Sequence, residues 1–132
     1  MRQALDAFYR RDRASWLALC DPEFETVPSD DWPESDPIRG PEAAWDFYVE
    51  ADEPWEASPY EFVEIFVVGN DIVVGNMRRE MRGKVSGVGV EYSYWVVATF
   101  RQEKALRIEW FTDRAKALEA VGLSEQDARA DS

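Results

Sequence analysis

The chemistry open to this chain is narrowed first by the side chains it lacks. It contains no histidine and a single cysteine, Cys20. Ser-His-Asp and Cys-His catalysis, histidine-ligated zinc and an imidazole proton shuttle are therefore excluded. One cysteine makes neither an intrachain disulfide nor a thiolate metal cluster, and no metal or cofactor is expected. Cys20 lies on the apolar face of a predicted helix and reads as core packing. Residues 83–89, GKVSGVG, are rich in glycine but fall between two predicted strands and open no helix. A phosphate-cradling loop is therefore not expected there. What remains is tyrosine, carboxylate and arginine chemistry.

Carboxylates are plentiful but unevenly placed. The 132 residues carry 27 acidic and 15 basic side chains, a net charge of −12. Between Asp21 and Glu64 there are 15 acidic residues and one basic residue, Arg39, a local net of −14, whereas the remaining 12 acidic and 14 basic residues sum to +2. Such a charge repels nucleic acid and anionic membranes, so neither is expected as a partner. Hydrophobic residues make up 45% of the chain and aromatic ones 14%, too many for a disordered acidic segment. The length suits one folded core. No run approaches 18 apolar residues and no signal-peptide core is visible, so a cytoplasmic location is expected.

The elements that position these groups follow from periodicity. Ala4, Leu5, Ala7 and Phe8 form one helical stripe, and Trp16, Leu17, Leu19 and Cys20 a second, closed by Asp21-Pro22. Phe24, Thr26 and Val27 suggest a short strand ending at Pro28. Residues 28–41 hold four prolines and four acids and read as a loop, in which Trp32 either closes over a pocket mouth or anchors the loop. Gly40-Pro41-Glu42 opens a helix that runs through Ala43, Trp45, Phe47 and Val49 and stops by Pro54. Strands are predicted over 62–68, 72–81, 90–100 and 105–112, with Gly69-Asn70-Asp71 as a turn. A short helix from Asp113 to Val121 follows, capped by Asp113 and ended by Gly122. The result is an α+β domain over residues 1–123, helices packed on one face of a curved antiparallel sheet, with a frayed tail over 124–132.

Three runs, ALDAFYRRDRASWLALCDPEFE (4–25), IRGPEAAWDFY (38–48) and LRIEWFTDRAKALEAVGL (106–123), carry a resemblance. With this element order, the chain resembles the SnoaL-like branch of the nuclear transport factor 2-like superfamily, the ketosteroid-isomerase-like fold. The resemblance implies a cone-shaped half-barrel with an interior pocket, and dimers formed through the outer sheet face. Relatives usually carry several more residues ahead of Ala4, so either the first helix is short or the start of this sequence is late. The superfamily includes ketosteroid isomerase, limonene epoxide hydrolase, polyketide cyclases and non-catalytic binding domains.

The family's catalytic positions do not hold catalytic residues here. In the ketosteroid-isomerase-like pattern the base falls at Pro28, the tyrosine at Ala4 and the acid at Val96; Asp30 is an unaligned substitute. The epoxide-hydrolase-like pattern finds Arg78-x-Glu80, but its second aspartate falls at Trp110. Strand parity separates Met77, Arg79 and Met81 from Arg78 and Glu80, and the apolar members place the first set inward. Glu80 then reads as part of a surface cross-strand ion pair.

The pocket drawn from the resemblance is apolar and aromatic. If Val96 faces in, so do Tyr92 and Tyr94, joined by Ile108 and Trp110, with Met77 and Arg79 from the neighbouring strand. Arg79 either binds a ligand carboxylate or pairs with an acid from the helices. Asp46 and Glu50 are the acids placed nearest, and Asp46 is taken as a lining candidate. Trp95, Val97 and Phe111 point outward as a large apolar patch, which predicts a homodimer through that face. The leading functional expectation is a small-molecule-binding domain for a neutral or cationic hydrophobic ligand, the acidic segment disfavouring anions. One alternative is a cofactor-independent isomerase, cyclase or hydrolase acting through tyrosine and Asp or Glu. A protein-pairing module is the other.

Overall fold

The protein is described by a computed structural model over residues 2–29, 36–57 and 60–123. Asp30, Trp32 and the tail 124–132 lie outside the described residues.

Two short helices come first, α1 (Arg2–Tyr9) and α2 (Arg13–Ala18). Asp12 caps α2 by accepting a hydrogen bond from the Ser15 N–H. The helix ends at Ala18, earlier than Asp21-Pro22 suggested, and Cys20 begins a strand, β1 (Cys20–Val27). Proline is tolerated in β1 because the register breaks between Cys20 and Glu25, so no regular ladder donor is required of residue 22. After β2 (Ile38–Arg39) comes α3 (Pro41–Asp52), with Pro41 in the first turn, where its missing N–H costs nothing. Gly40 precedes it with φ +94°, a conformation that few other residues adopt readily.

The sheet continues with β3 (Trp55–Ala57), β4 (Glu61–Val68), β5 (Ile72–Gly83), β6 (Gly89–Arg101) and β7 (Lys104–Phe111), and α4 (Arg114–Ala120) closes the order. Strand order is β2-β1-β7-β6-β5, with β3 and β4 both paired to the far side of β5. The pairings are antiparallel except β1 with β7, which are parallel and join the two ends of the fold. This is a mixed α+β fold around a curved, open sheet.

Each face of the sheet is covered by a different set of helices. On the concave face Ala7, Phe8, Trp16, Phe24, Trp45 and Ala105 form one buried cluster, which holds α1, α2 and α3 against the strands. On the convex face Val74, Trp95 and Val97 pack under Ala117 of α4, with Phe111 beside them. Here the outward patch departs from the sequence expectation. Trp95 is 9% exposed and Val97 3%, because the chain's own last helix lies on them. The apolar residues are outward as parity required; α4 covers Trp95 and Val97, while Phe111 beside them is only partly buried.

Candidate functional site

The concave face is incompletely filled. A cavity of about 160 Å³ remains between helices and sheet. Ala4 and Phe8 of α1 and Trp16 of α2 form one wall, Phe47, Tyr48, Ala51 and Asp52 of α3 a second. The sheet contributes Met77 and Arg79 from β5, Tyr94 and Val96 from β6, and Ile108 and Trp110 from β7. Pro28, Ser29 and Tyr60 complete the lining. Their register explains the convergence: Met77 pairs with Tyr94 across β5 and β6, and Val96 with Trp110 across β6 and β7, which puts all four on one face.

Aromatic rings set the cavity's shape. Tyr94 meets Trp110 edge-on at 5.8 Å, and Trp110 meets Tyr48 at 6.0 Å and Tyr60 at 6.1 Å. Such contacts hold rings in defined orientations.

Besides Ser29, two polar assemblies interrupt the apolar wall among the described residues. The first is a hydrogen-bonded chain. Trp110 Nε1 donates to Tyr48 Oη at 3.1 Å, Tyr48 Oη bonds Thr26 Oγ1, and Thr26 Oγ1 donates to the Ile108 carbonyl at 3.1 Å. Burial pushes the Tyr48 phenol up to about 12, so it keeps its proton across the physiological range. The second is an ion pair. Arg79 Nη1 and Nη2 donate to the two carboxylate oxygens of Asp52 at 2.7 and 3.3 Å. The guanidinium also lies over the Tyr60 ring, 4.4 Å from its centroid. Burial works against the Arg79 charge, but Asp52 and Tyr60 outweigh it and hold the group above its ordinary pKa. Burial raises the Tyr60 phenol, an effect Arg79 partly offsets. Arg11 approaches Asp52 from outside at 3.6 Å.

Six residues singled out from sequence, Met77, Arg79, Tyr94, Val96, Ile108 and Trp110, lie together at this cavity. Tyr92 is not in its wall; it stacks on Tyr94, rings 5.8 Å apart and 7° from parallel, and meets Trp55 edge-on. Asp46 is a correction. It is exposed, as is Glu50, because both point away from the sheet on the solvent side of α3. Among the described residues the acid that reaches the cavity is Asp52, and the Arg79 guanidinium pairs with that helix carboxylate. Cys20 is buried as expected, though on a strand, and its thiol donates to the Trp16 carbonyl.

The positions matched to catalytic residues of the family are informative. Ala4, Pro28, Val96 and Trp110 all line the cavity, yet none carries a group able to exchange a proton. Arg78 and Glu80 are exposed on the other side of β5.

Sequence reasoning missed Tyr48, Asp52 and Tyr60. The signal for two of them was present. Trp45, Tyr48 and Asp52 are spaced i, i+3, i+7, one helical stripe, whereas Asp46 is rotated off it. Tyr60 has no such signal, since its place depends on how the chain returns from β3 to β4.

Comparison with known proteins agrees with this architecture. A family model for the SnoaL-like domain matches residues 1–108. The sequence matches none of the curated proteins. Among solved structures, a nuclear transport factor 2-like protein of unknown function from Burkholderia pseudomallei is 20% identical, with a TM-score of 0.71 over 92% of this chain and 93% of that one. TerC, co-crystallised with polyporic acid, is 20% identical with a TM-score of 0.70 over 90% and 92%. RV0760c from Mycobacterium tuberculosis, in complex with estradiol-17beta-hemisuccinate, is 16% identical with a TM-score of 0.70 over 86% and 90%. At these identities the likeness concerns the fold. The family match over most of the chain, joined to the curved sheet and its helices, makes this protein a member of the SnoaL-like family, with the fold of the nuclear transport factor 2-like structures.

Proposed function

We propose that this protein is a cytoplasmic small-molecule-binding domain whose concave cavity takes a neutral or cationic hydrophobic ligand. The observation that carries this reading is the lining itself, aromatic and aliphatic side chains around a space of about 160 Å³. A cavity of roughly that size holds one benzene-like ring when its walls are apolar. Two of the similar structures were solved with an organic compound, which supports the class of function and leaves the identity of the ligand here open.

Charge supports the neutral or cationic preference. The one cation at the cavity wall among the described residues, Arg79, is engaged by Asp52, and the segment 21–64, which includes α3, has a net charge of −14 in sequence. An anionic ligand would have to displace Asp52 while entering a negative field.

Catalysis is the second reading, and Asp52 beside Tyr60 favours it: an isomerase, cyclase or hydrolase would need such a carboxylate at the cavity. Against it, Arg79 holds both Asp52 oxygens, so proton abstraction would first break a charge-assisted, bidentate pair. The binding reading is preferred on that ground.

Calorimetric titration with propylbenzene and with 4-propylbenzoate tests the proposal. We expect propylbenzene to bind at least about tenfold more tightly than the carboxylate, a difference of about 1.4 kcal/mol. Tighter binding of the benzoate would overturn the charge preference, and no binding by either would overturn the cavity as a binding site.

A further inference from the structure

The hydrogen bonds behind the cavity wall run in one direction, and that direction has a consequence for the ligand. An indole nitrogen only donates, and a backbone carbonyl only accepts. The chain therefore begins at Trp110 Nε1 and ends at the Ile108 carbonyl, with Tyr48 and Thr26 between them. Each hydroxyl has one proton. Thr26 spends its proton on Ile108, so it accepts from Tyr48, and the Tyr48 proton points toward Thr26, which is fully buried and is not part of the cavity wall. Tyr48 and Trp110 both line the cavity, but the Trp110 N–H is turned onto the phenol oxygen. The group that this part of the wall can offer a ligand is the remaining lone pair of Tyr48 Oη.

We infer that Tyr48 Oη is a hydrogen-bond acceptor for the ligand, and that the ligand class is a compact hydrophobic alcohol or phenol, its hydroxyl donating to Tyr48. A ketone, aldehyde or ether brings only acceptors and would face the phenol oxygen lone pair to lone pair. Within the neutral or cationic class proposed above, an ammonium has donors too, but its desolvation costs more than a hydroxyl's where the carboxylate is already paired with Arg79, so the neutral member fits best. The raised phenol pKa is consistent with this arrangement, since a retained proton keeps the chain oriented. Tyr48 is accordingly neither a base nor a donor to a developing oxyanion.

This inference rests on the cavity being a binding site, and the test separates the two. The probes are 4-propylphenol, 4-propylanisole and propylbenzene, titrated calorimetrically into the full chain. The phenol is expected to bind about fivefold to tenfold more tightly than the other two, the usual worth of one neutral hydrogen bond. Tyr48→Phe removes the acceptor and leaves the Trp110 N–H without its partner, so the phenol advantage disappears and the anisole gains. Thr26→Val removes the acceptor of the Tyr48 proton and lets that proton turn to the cavity, so anisole binding should rise here too while the phenol still binds.

Equal binding of phenol and anisole to the unaltered protein would overturn the inference while leaving the binding reading intact. So would a phenol preference that survives Tyr48→Phe, because the acceptor would then be another group. If no probe binds, the binding reading fails and the inference with it.

Discussion

The two faces of the sheet are covered by different amounts of helix, and the contrast locates the site. On the convex face one helix of seven residues, α4, seats Ala117 against Val74, Trp95 and Val97 and covers that apolar patch. On the concave face three helices bring many more aromatic rings and still leave a cavity. Large rigid rings cannot fill a strongly curved surface as small aliphatic residues can, and the space they leave is walled by their faces and edges. Both faces hold polar groups: on the convex side Asn76 donates to Ser93 Oγ and Arg114 of α4 pairs with Glu64. The Tyr48 chain and the Arg79–Asp52 pair stand on the concave side. The convex face is a structural seal, and the concave face is a seal with an opening in it.

Substitutions on the two faces should therefore separate stability from binding. Trp16 is 4% exposed and meets Phe24, Trp45 and Tyr48, so Trp16→Ala should cost about 3–5 kcal/mol in urea unfolding and weaken propylbenzene binding as well. Retained binding after that loss would break the link between concave core and cavity. Asp52→Asn leaves the Arg79 guanidinium, 4% exposed, without its counter-charge and should cost about 3 kcal/mol. A stability change near zero would mean that the pair adds little to the fold. Leu118→Ala on α4 should cost about 2–3 kcal/mol, at the low end for a fully buried leucine because a short surface helix can settle into the space. In contrast to Trp16→Ala, it should leave propylbenzene affinity within about twofold, and a larger loss would show that the faces are coupled.

The smallest effect belongs to neither face. Hydrogen bonds from Arg101 hold the Asp21 carboxyl below its ordinary value of 3.8, aided by the Glu23 N–H. A carboxyl depressed in the folded state contributes stability that is present above its unfolded pKa. That contribution is lost as pH falls through the folded value. Acid unfolding of the parent chain should thus show a loss beginning near pH 4. Asp21→Asn should blunt that loss, and an unchanged acid limb would contradict the assignment.

Much of this organisation was legible in the sequence, and the failures have physical causes. Strand parity placed Met77, Arg79, Tyr94 and Val96 on one side and Trp95 and Val97 on the other because side chains alternate strictly in the ladder. Asp113 and Gly122 marked the ends of α4 because a cap and a left-handed residue act locally. The surface that α4 covers is a non-local fact, so its contact with Trp95 and Val97 is not legible in the sequence. The parallel pairing of β1 with β7 and the docking of β3 on β5 are non-local in the same sense. Asp46 and Glu50 lie on the same helix as Asp52, but only Asp52 continues the stripe of Trp45 and Tyr48. The hydrogen bonds of Tyr48 are not accessible without the Thr26 and Trp110 geometry.

The central claim, that the concave cavity is the binding site and the convex face a seal, is tested most directly by the tryptophan indole N–H signals in a nitrogen-proton correlation spectrum. Trp16 and Trp110 line the cavity, whereas Trp95 lies under α4. On titration with 4-propylphenol the Trp110 and Trp16 signals should shift and saturate with the calorimetric affinity, while the Trp95 signal stays in place. A saturable shift of Trp95 with Trp110 unmoved would contradict the account.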